Sequence, residues 1–495
     1  MHSMRKNWRC ILCGYVHTGE EPPESCQICG AERDEFELDA AGPASAGSQG
    51  AYWRCLNCEY VHAGDAPPDV CKVCGAFRDA FEAYHPLQPG TAQSDTQRLV
   101  IIGSGIAGLT AAEEARRLSP GIEITLISEE NHVPYYRLNL TRYLAKAVDR
   151  PSLIMYPPAW FEEKRITLLT GEKVSRLHPA ANEVELGDGR RLPYDKLILA
   201  MGAHPFIPPF AGSDLSSVIT LRTVDDADEI LRRLPSADSC ICIGGGILGL
   251  EIAGAIASAG FNVTVLEGSE WLMPRQLNKA AAACLTRHLA KIGVTVLTGA
   301  RTQEITSSGE TSSVLLSSGE RLHAGLIIIA AGVRPNTYLA RKAGLEVHNG
   351  LVVDNYMRTT DPHMYAAGDI TEHYGILYGL WNIAQFQGKI AARNALGHVT
   401  EFGGIPRSNV LKVLDVDMFS IGEISAPDAS YSQWEKSDGE KYFMFLIRDN
   451  KLVGSIIIGD KAVSLQAKQA VEKGTVFAPE HLQGADSILA QIARS

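Results

Sequence analysis

Eight of the eleven cysteines in this 495-residue chain stand in CxxC pairs. Cys10, Cys13, Cys26 and Cys29 form one cassette, "WRCILCGYVHTGEEPPESCQIC"; Cys55, Cys58, Cys71 and Cys74 form a second, "WRCLNCEYVHAGDAPPDVCKVC", displaced by 45 positions. Four thiolates on two CxxC turns can surround one ion tetrahedrally, and an all-sulfur set selects zinc or iron. Spacing leaves both open. Disulfide scaffolding is disfavoured, because it belongs to small secreted chains.

Two further clusters are suited to phosphate. Gly103, Gly105 and Gly108 in "RLVIIGSGIAGLTAAEEARRL" lie between an apolar run and a helical stretch, as do Gly244, Gly246 and Gly249 in "SCICIGGGILGLEIAGAIASAG". Glycines at these places let the backbone approach a pyrophosphate at a helix N-terminus. The strand after the second motif ends in Glu267, whose carboxylate would accept from a ribose 2′-hydroxyl and repel a 2′-phosphate. NADH is therefore expected over NADPH. After the first motif, "EITLISEEN" puts Ser128 directly behind the apolar run, so the expected adenosine-ribose acid is the next residue, Glu129.

These groups must be positioned by several independently packed pieces, because the chain is too long for one core. The cassettes are small modules over 5–39 and 51–83, followed by linkers at 40–50 and 84–97 rich in Ala, Gly, Pro, Ser and Gln. Alternating apolar strands and helices then predict an α/β fold with two dinucleotide-binding domains. Each opens on one of the glycine motifs, the first unit at Arg98 and the second at Ser239. Short strands and a helix predict a small α+β domain over 401–495.

The net charge is −11, and residues 1–97 hold 7 basic against 14 acidic side chains. That balance argues against a nucleic-acid partner. With no long apolar stretch and no apolar core in "MHSMRKNWRC", a cytoplasmic protein without a membrane partner is expected.

Each cassette, extended to "WRCxxCGYVHxGxxPPxxCxxCGAxRDxFE", resembles the rubredoxin domain that ends rubrerythrin, although Glu59 stands where the first copy has Gly14. The resemblance implies one iron per module, with zinc as the alternative. Residues 98 to about 400 resemble the flavin-dependent pyridine nucleotide oxidoreductases through "YDKLILAMGAHPFIPP", "LIIIAAGVRPN" and "TTDPHMYAAGDI". That family's pattern implies FAD on the first glycine motif and NAD(P)H on the second, with the FAD-binding domain split over 98–222 and 336–400 and the NAD-binding domain, over 223–335, inserted into it. By the same resemblance, Ala200, Gly202, Gly368 and Asp369 belong to the flavin site, with Asp369 on the ribityl chain. Within that family, "ENHVPYYRLNLTRYL" and "YGLWNIAQFQGKIAARNAL" resemble the NADH:rubredoxin oxidoreductases and the flavoprotein part of nitrite reductase large subunits. This likeness implies that Arg137 and Trp381 are flavin neighbours, although ordinary core packing is an equal reading for Trp381.

Disulfide reductases and NADH peroxidases or oxidases of this family carry reactive cysteine after the second strand. Here that segment, "ENHVPYYRLNLTRYLAKAV", holds none. Cys240, Cys242 and Cys284 read as small buried residues. The expected activity is an NADH:rubredoxin oxidoreductase fused to its own acceptors, which splits a hydride into single electrons for its two metal centres and an external acceptor protein. The alternatives are an NADH oxidase or peroxidase, and a flavoprotein with zinc-bound docking modules. Arg137, Arg142, Lys146 and Arg150 form a candidate landing surface for the acidic modules.

Overall fold

The computed structural model describes residues 6–10, 16–23, 33, 36–38, 52–55, 61–68, 78, 81–84, 96–308, 311–404, 408–413 and 416–492. Its backbone divides into two compact units. One comprises Met1–Leu138, Arg150–His204 and Arg334–Pro406, and the other Asn139–Asp149, Pro205–Val333 and Arg407–Ser495.

The first unit is organised by a five-stranded parallel sheet ordered Met364–Ala366, Lys196–Leu199, Arg98–Ile102, Glu123–Ile127, Ile166–Leu169. Its strands are nearly unbroken runs of Val, Ile and Leu because both faces are covered. Leu99, Ile101, Leu126 and Leu197 are all but inaccessible. Helices Ile106–Leu118 and Trp381–Ala395 pack against each other at Gly388, where a Cβ would stand 2.2 Å from the Ala107 carbonyl oxygen. A three-stranded antiparallel sheet, Val174–His178, Glu183–Leu186 and Arg191–Pro193, fills the crossover between the last two strands made before Ala200.

The cysteine modules share one design within this unit. Lys6–Cys10 pairs with Val16–Gly19 and Phe36–Leu38, and Tyr52–Cys55 pairs with Val61–Ala63 and Phe81–Tyr84. The registers match: Cys10 faces Phe36 and Cys55 faces Phe81. Both phenylalanines are buried. Tyr84, at the start of the expected linker, is the last residue of a strand.

The second unit repeats the larger plan. Its parallel sheet runs Val218–Thr220, Leu326–Ile329, Ser239–Ile243, Asn262–Glu267, Val294–Thr298, and Thr302–Ser308, Thr311–Leu316 and Arg321–Ala324 form its antiparallel crossover. Residues 408–458 build a five-stranded antiparallel sheet, on which helices Lys461–Lys473 and Ala485–Ile492 close a core of Phe419, Phe445, Ile457, Phe477 and Ile488. Among the described residues, no helix is long and apolar enough to cross a membrane.

Candidate functional site

The two glycine turns are built alike, residue for residue. Gly103 has φ +104° and Gly244 φ +120°, conformations that favour glycine, and each would drive a Cβ into a neighbouring carbonyl: Ala200 at 2.1 Å and Ala330 at 2.4 Å. Their amides donate to Ile127 O and Leu266 O, both at 2.8 Å, which fixes the turn to the next strand. Gly108 and Gly249 sit in the helices, where a Cβ would meet Gly103 O at 1.8 Å and Gly244 O at 2.0 Å. These glycines permit close packing of helix on strand.

The middle glycines differ. A Cβ at Gly105 or Gly246 would meet nothing within 4 Å, although each caps the N-terminus of its helix. Open space over unpaired helical N–H groups is what a pyrophosphate requires. The residues present therefore fit one dinucleotide at each turn.

At the second turn Glu267 is held in place by its own neighbours. Gly245 N donates to Oε2 at 2.9 Å and Ser269 N to Oε1 at 2.7 Å, which leaves lone pairs on both oxygens for ribose hydroxyls. Matching the two sheets by the Gly103 and Gly244 hydrogen bonds puts Ser128 at the register of Glu267. Ser128 is buried and accepts from Ser104 at 2.9 Å. Glu129 lies one step further out, 70% exposed and ion-paired with Lys173 at 2.9 Å.

Around the first turn, Ala200 is buried and its amide donates to Ile102 O at 2.8 Å; its role in the fold is the close approach to Gly103. Gly202 (φ +63°) accepts from Asn336 N at 2.9 Å. Gly368 (φ +83°) faces Ala107 and donates to Gln387 Oε1 at 2.9 Å, while Gln387 Nε2 is buried with no hydrogen-bond partner. Asp369 follows it, half-buried. Arg137 donates to Glu130 at 2.5 Å and lies over the Tyr135 ring. Burial would lower its pKa, but Tyr135, Glu130 and Asp369 outweigh that and raise it. Engaged in this way and only 24% exposed, Arg137 is a poor member of a landing surface, whereas Lys146 and Arg150 are exposed. Trp381 is half-buried, its ring centroid 6.3 Å from that of Tyr136.

Of the metal-ligand candidates, Cys13, Cys26, Cys29, Cys58, Cys71 and Cys74 lie outside the described residues, and Cys10 and Cys55 end their strands. Cys240, Cys242 and Cys284 are buried. Burial pushes the Cys242 thiol up to about 12 and that of Cys240 well up, so neither is a nucleophile at neutral pH.

Glu251 was not singled out from the sequence. It sits two residues after Gly249, accepts from Thr141 Oγ1 at 3.3 Å, and is pushed up to about 7 by burial. The available signal was one acid within the apolar helix "ILGLEIAGAIAS".

Twin Rossmann sheets with one dinucleotide turn each define the class of two-nucleotide oxidoreductases. The chain belongs to the pyridine nucleotide-disulphide oxidoreductase family, which matches residues 97–388. The rubredoxin NAD+ reductase C-terminal domain matches 408–475, and the rubrerythrin, rubredoxin-like domain matches 8–37 and 53–82. The nitrite reductase [NAD(P)H] of Bacillus subtilis is 34% identical over 76% of this chain and 47% of its own length, so the chain spans about half of that relative. The NADH-rubredoxin oxidoreductase of Clostridium acetobutylicum is 29% identical over 79% of this chain and 98% of its own. The solved structure of the latter superposes with a TM-score of 0.69 over 80% of this chain and 99% of that one, at 29% identity.

Proposed function

We propose that this chain is an NADH-dependent flavoprotein that reduces its own two rubredoxin-like modules and, through them, an external acceptor protein. One observation carries the reading: two open dinucleotide turns share a chain with two four-cysteine cassettes, and the segment that holds reactive thiols in related disulfide reductases has none. FAD would be held at Gly103, Gly105 and Gly108 with Gly368, Asp369, Arg137 and Trp381, and the ribose acceptor is assigned to Glu129, which would release Lys173. NADH would be held at Gly244, Gly246, Gly249 and Glu267.

Bound flavin supplies the step from a two-electron hydride to single electrons, which four-cysteine iron can take one at a time. The protein's part is placement. The glycine turns present helix N-termini to the pyrophosphates, Glu267 selects an unphosphorylated ribose, and Arg137 sets a fixed positive charge beside Asp369. Two one-electron acceptors match the two electrons of one hydride. Because the modules share one chain with the flavoprotein, each would meet its donor at an effective concentration of order mM.

Metal analysis with an anaerobic visible spectrum before and after stoichiometric NADH tests this. Two irons per flavin that bleach together with it support the proposal. Zinc in both sites, with only flavin bleaching, favours docking modules. Glu267→Gln is expected to raise KM for NADH about tenfold while changing that for NADPH much less. Equal loss for both would remove Glu267 from ribose selection.

A further inference from the structure

The two modules are copies in sequence but differ in what they can touch. The Tyr84 hydroxyl, at the end of the second module's last strand, donates to Glu401. Glu401 belongs to a prepared corner. Its other oxygen accepts from Asn355 Nδ2 at 3.5 Å, the Asn355 side chain is bonded to buried His373 at 2.8 Å, and Phe402 N donates to Asn355 O at 2.7 Å. Tyr356 adjoins both Tyr84 and Glu401 and lies under the Arg358 guanidinium at 4.7 Å. On the module side, Arg54 covers the Tyr84 ring at 5.0 Å and pairs with Glu82 across the strands at 2.8 Å. Burial, then Glu401, raises the Tyr84 pKa, so the hydroxyl remains a donor at neutral pH.

The 45-residue offset shows which part of this is unique. Arg54 and Glu82 have counterparts in Arg9 and Glu37, which face each other in the same register. The counterpart of Tyr84 is Asp39. An aspartate has no proton to give Glu401 at neutral pH and would set a like charge against it, a destabilising arrangement when partly desolvated.

We propose that the corner formed by Asn355, Tyr356 and Glu401 is a docking site for the second cysteine module alone, making that module the inner of the two and the first module the outer. Docking stands on these contacts. Only the order of electron passage, inner module first, rests on the function proposed above.

Hydrogen exchange on the full, metal-loaded chain tests docking without any electron transfer. Peptides covering 81–84 and 399–402 are expected to exchange roughly tenfold faster or more in both Tyr84→Asp and Glu401→Ala, with 98–127 unchanged, since each removes a hydrogen bond to a charged group. Unchanged exchange in both variants overturns the proposal. So does loss in Tyr84→Asp alone, which would mean that the module itself had loosened. The order is read by rapid mixing with NADH. Cys71→Ser/Cys74→Ser should abolish reduction of the first module's iron. Reduction of that iron at the unmodified rate overturns the order. Absence of any iron bleaching in the unmodified chain sinks the functional reading and leaves docking to the exchange result.

Discussion

At the scale of single residues, the glycine turns separate fold from function. Gly246 and Gly249 are three positions apart on one turn, yet a Cβ at the first meets open space and at the second would meet a carbonyl at 2.0 Å. Gly246→Ala should therefore change stability by less than about 0.5 kcal/mol while raising KM for NADH, and Gly249→Ala should destabilise by about 2 kcal/mol or more, seen by thermal melting beside steady-state kinetics. Comparable melting losses would contradict this division. Glu251 gives a pH signature. Its folded pKa, about 7, lies above that of an unfolded glutamate, so the folded state holds the proton more tightly. The associated stability is complete below about pH 4.5 and is lost as pH rises through 7. Glu251→Gln should remove this alkaline loss, up to about 3 kcal/mol, and melting temperatures at pH 5 and pH 8 in both proteins would show it.

At the scale of elements, what was legible in the sequence is what is local in it. The strand, glycine turn, helix and next strand of the second nucleotide unit follow one another from Ser239 to Glu267, and glycine spacing, apolar runs and the terminal Glu267 all lie within that window. Equivalence of Ser128 with Glu267 was half legible, because the offset of Glu129 was visible but the Ser104 hydrogen bond that occupies the position was not. The joints between elements far apart in sequence were illegible, since nothing near Tyr84 announces Glu401. The same holds for helix Lys279–Lys291. Asn278 caps it, accepting from Ala281 N at 2.9 Å, and its amide also donates to the Tyr442 hydroxyl at 2.7 Å in the C-terminal sheet, where the Cys284 thiol donates to Glu440 O at 3.0 Å. One side chain thus joins a cap to a domain junction. Asn278→Ala should cost about 2 kcal/mol, roughly twice a cap alone, while Asn278→Asp, which keeps the cap and loses the amide donor, should cost about half as much. No loss in Asn278→Asp, measured by denaturant unfolding, would mean that the Tyr442 contact contributes nothing, and equal losses in the two variants that the cap does not.

At the scale of the whole molecule, stability is divided very unequally. The flavoprotein cores each hold dozens of buried apolar side chains, whereas among the described residues each cysteine module buries one, Phe36 or Phe81. A module of about thirty residues is too short for an apolar core alone to offset its chain entropy. Four ligand bonds to one ion can, because a site formed only in the folded module converts metal binding into folding free energy. Losing one metal should consequently unfold one module and little else. Cys55→Ser/Cys58→Ser is expected to bind one metal fewer per chain and to make residues 51–84 susceptible to limited proteolysis. The main melting transition, which reports the nucleotide-binding cores, should stay within about 2 °C, since a module contributes little to their packing. The corresponding change at Cys10 and Cys13 should expose only the first module. If either pair of substitutions lowered the main transition by about 10 °C, the modules would be structural parts of the flavoprotein, and a carrier role for them would lose its physical basis.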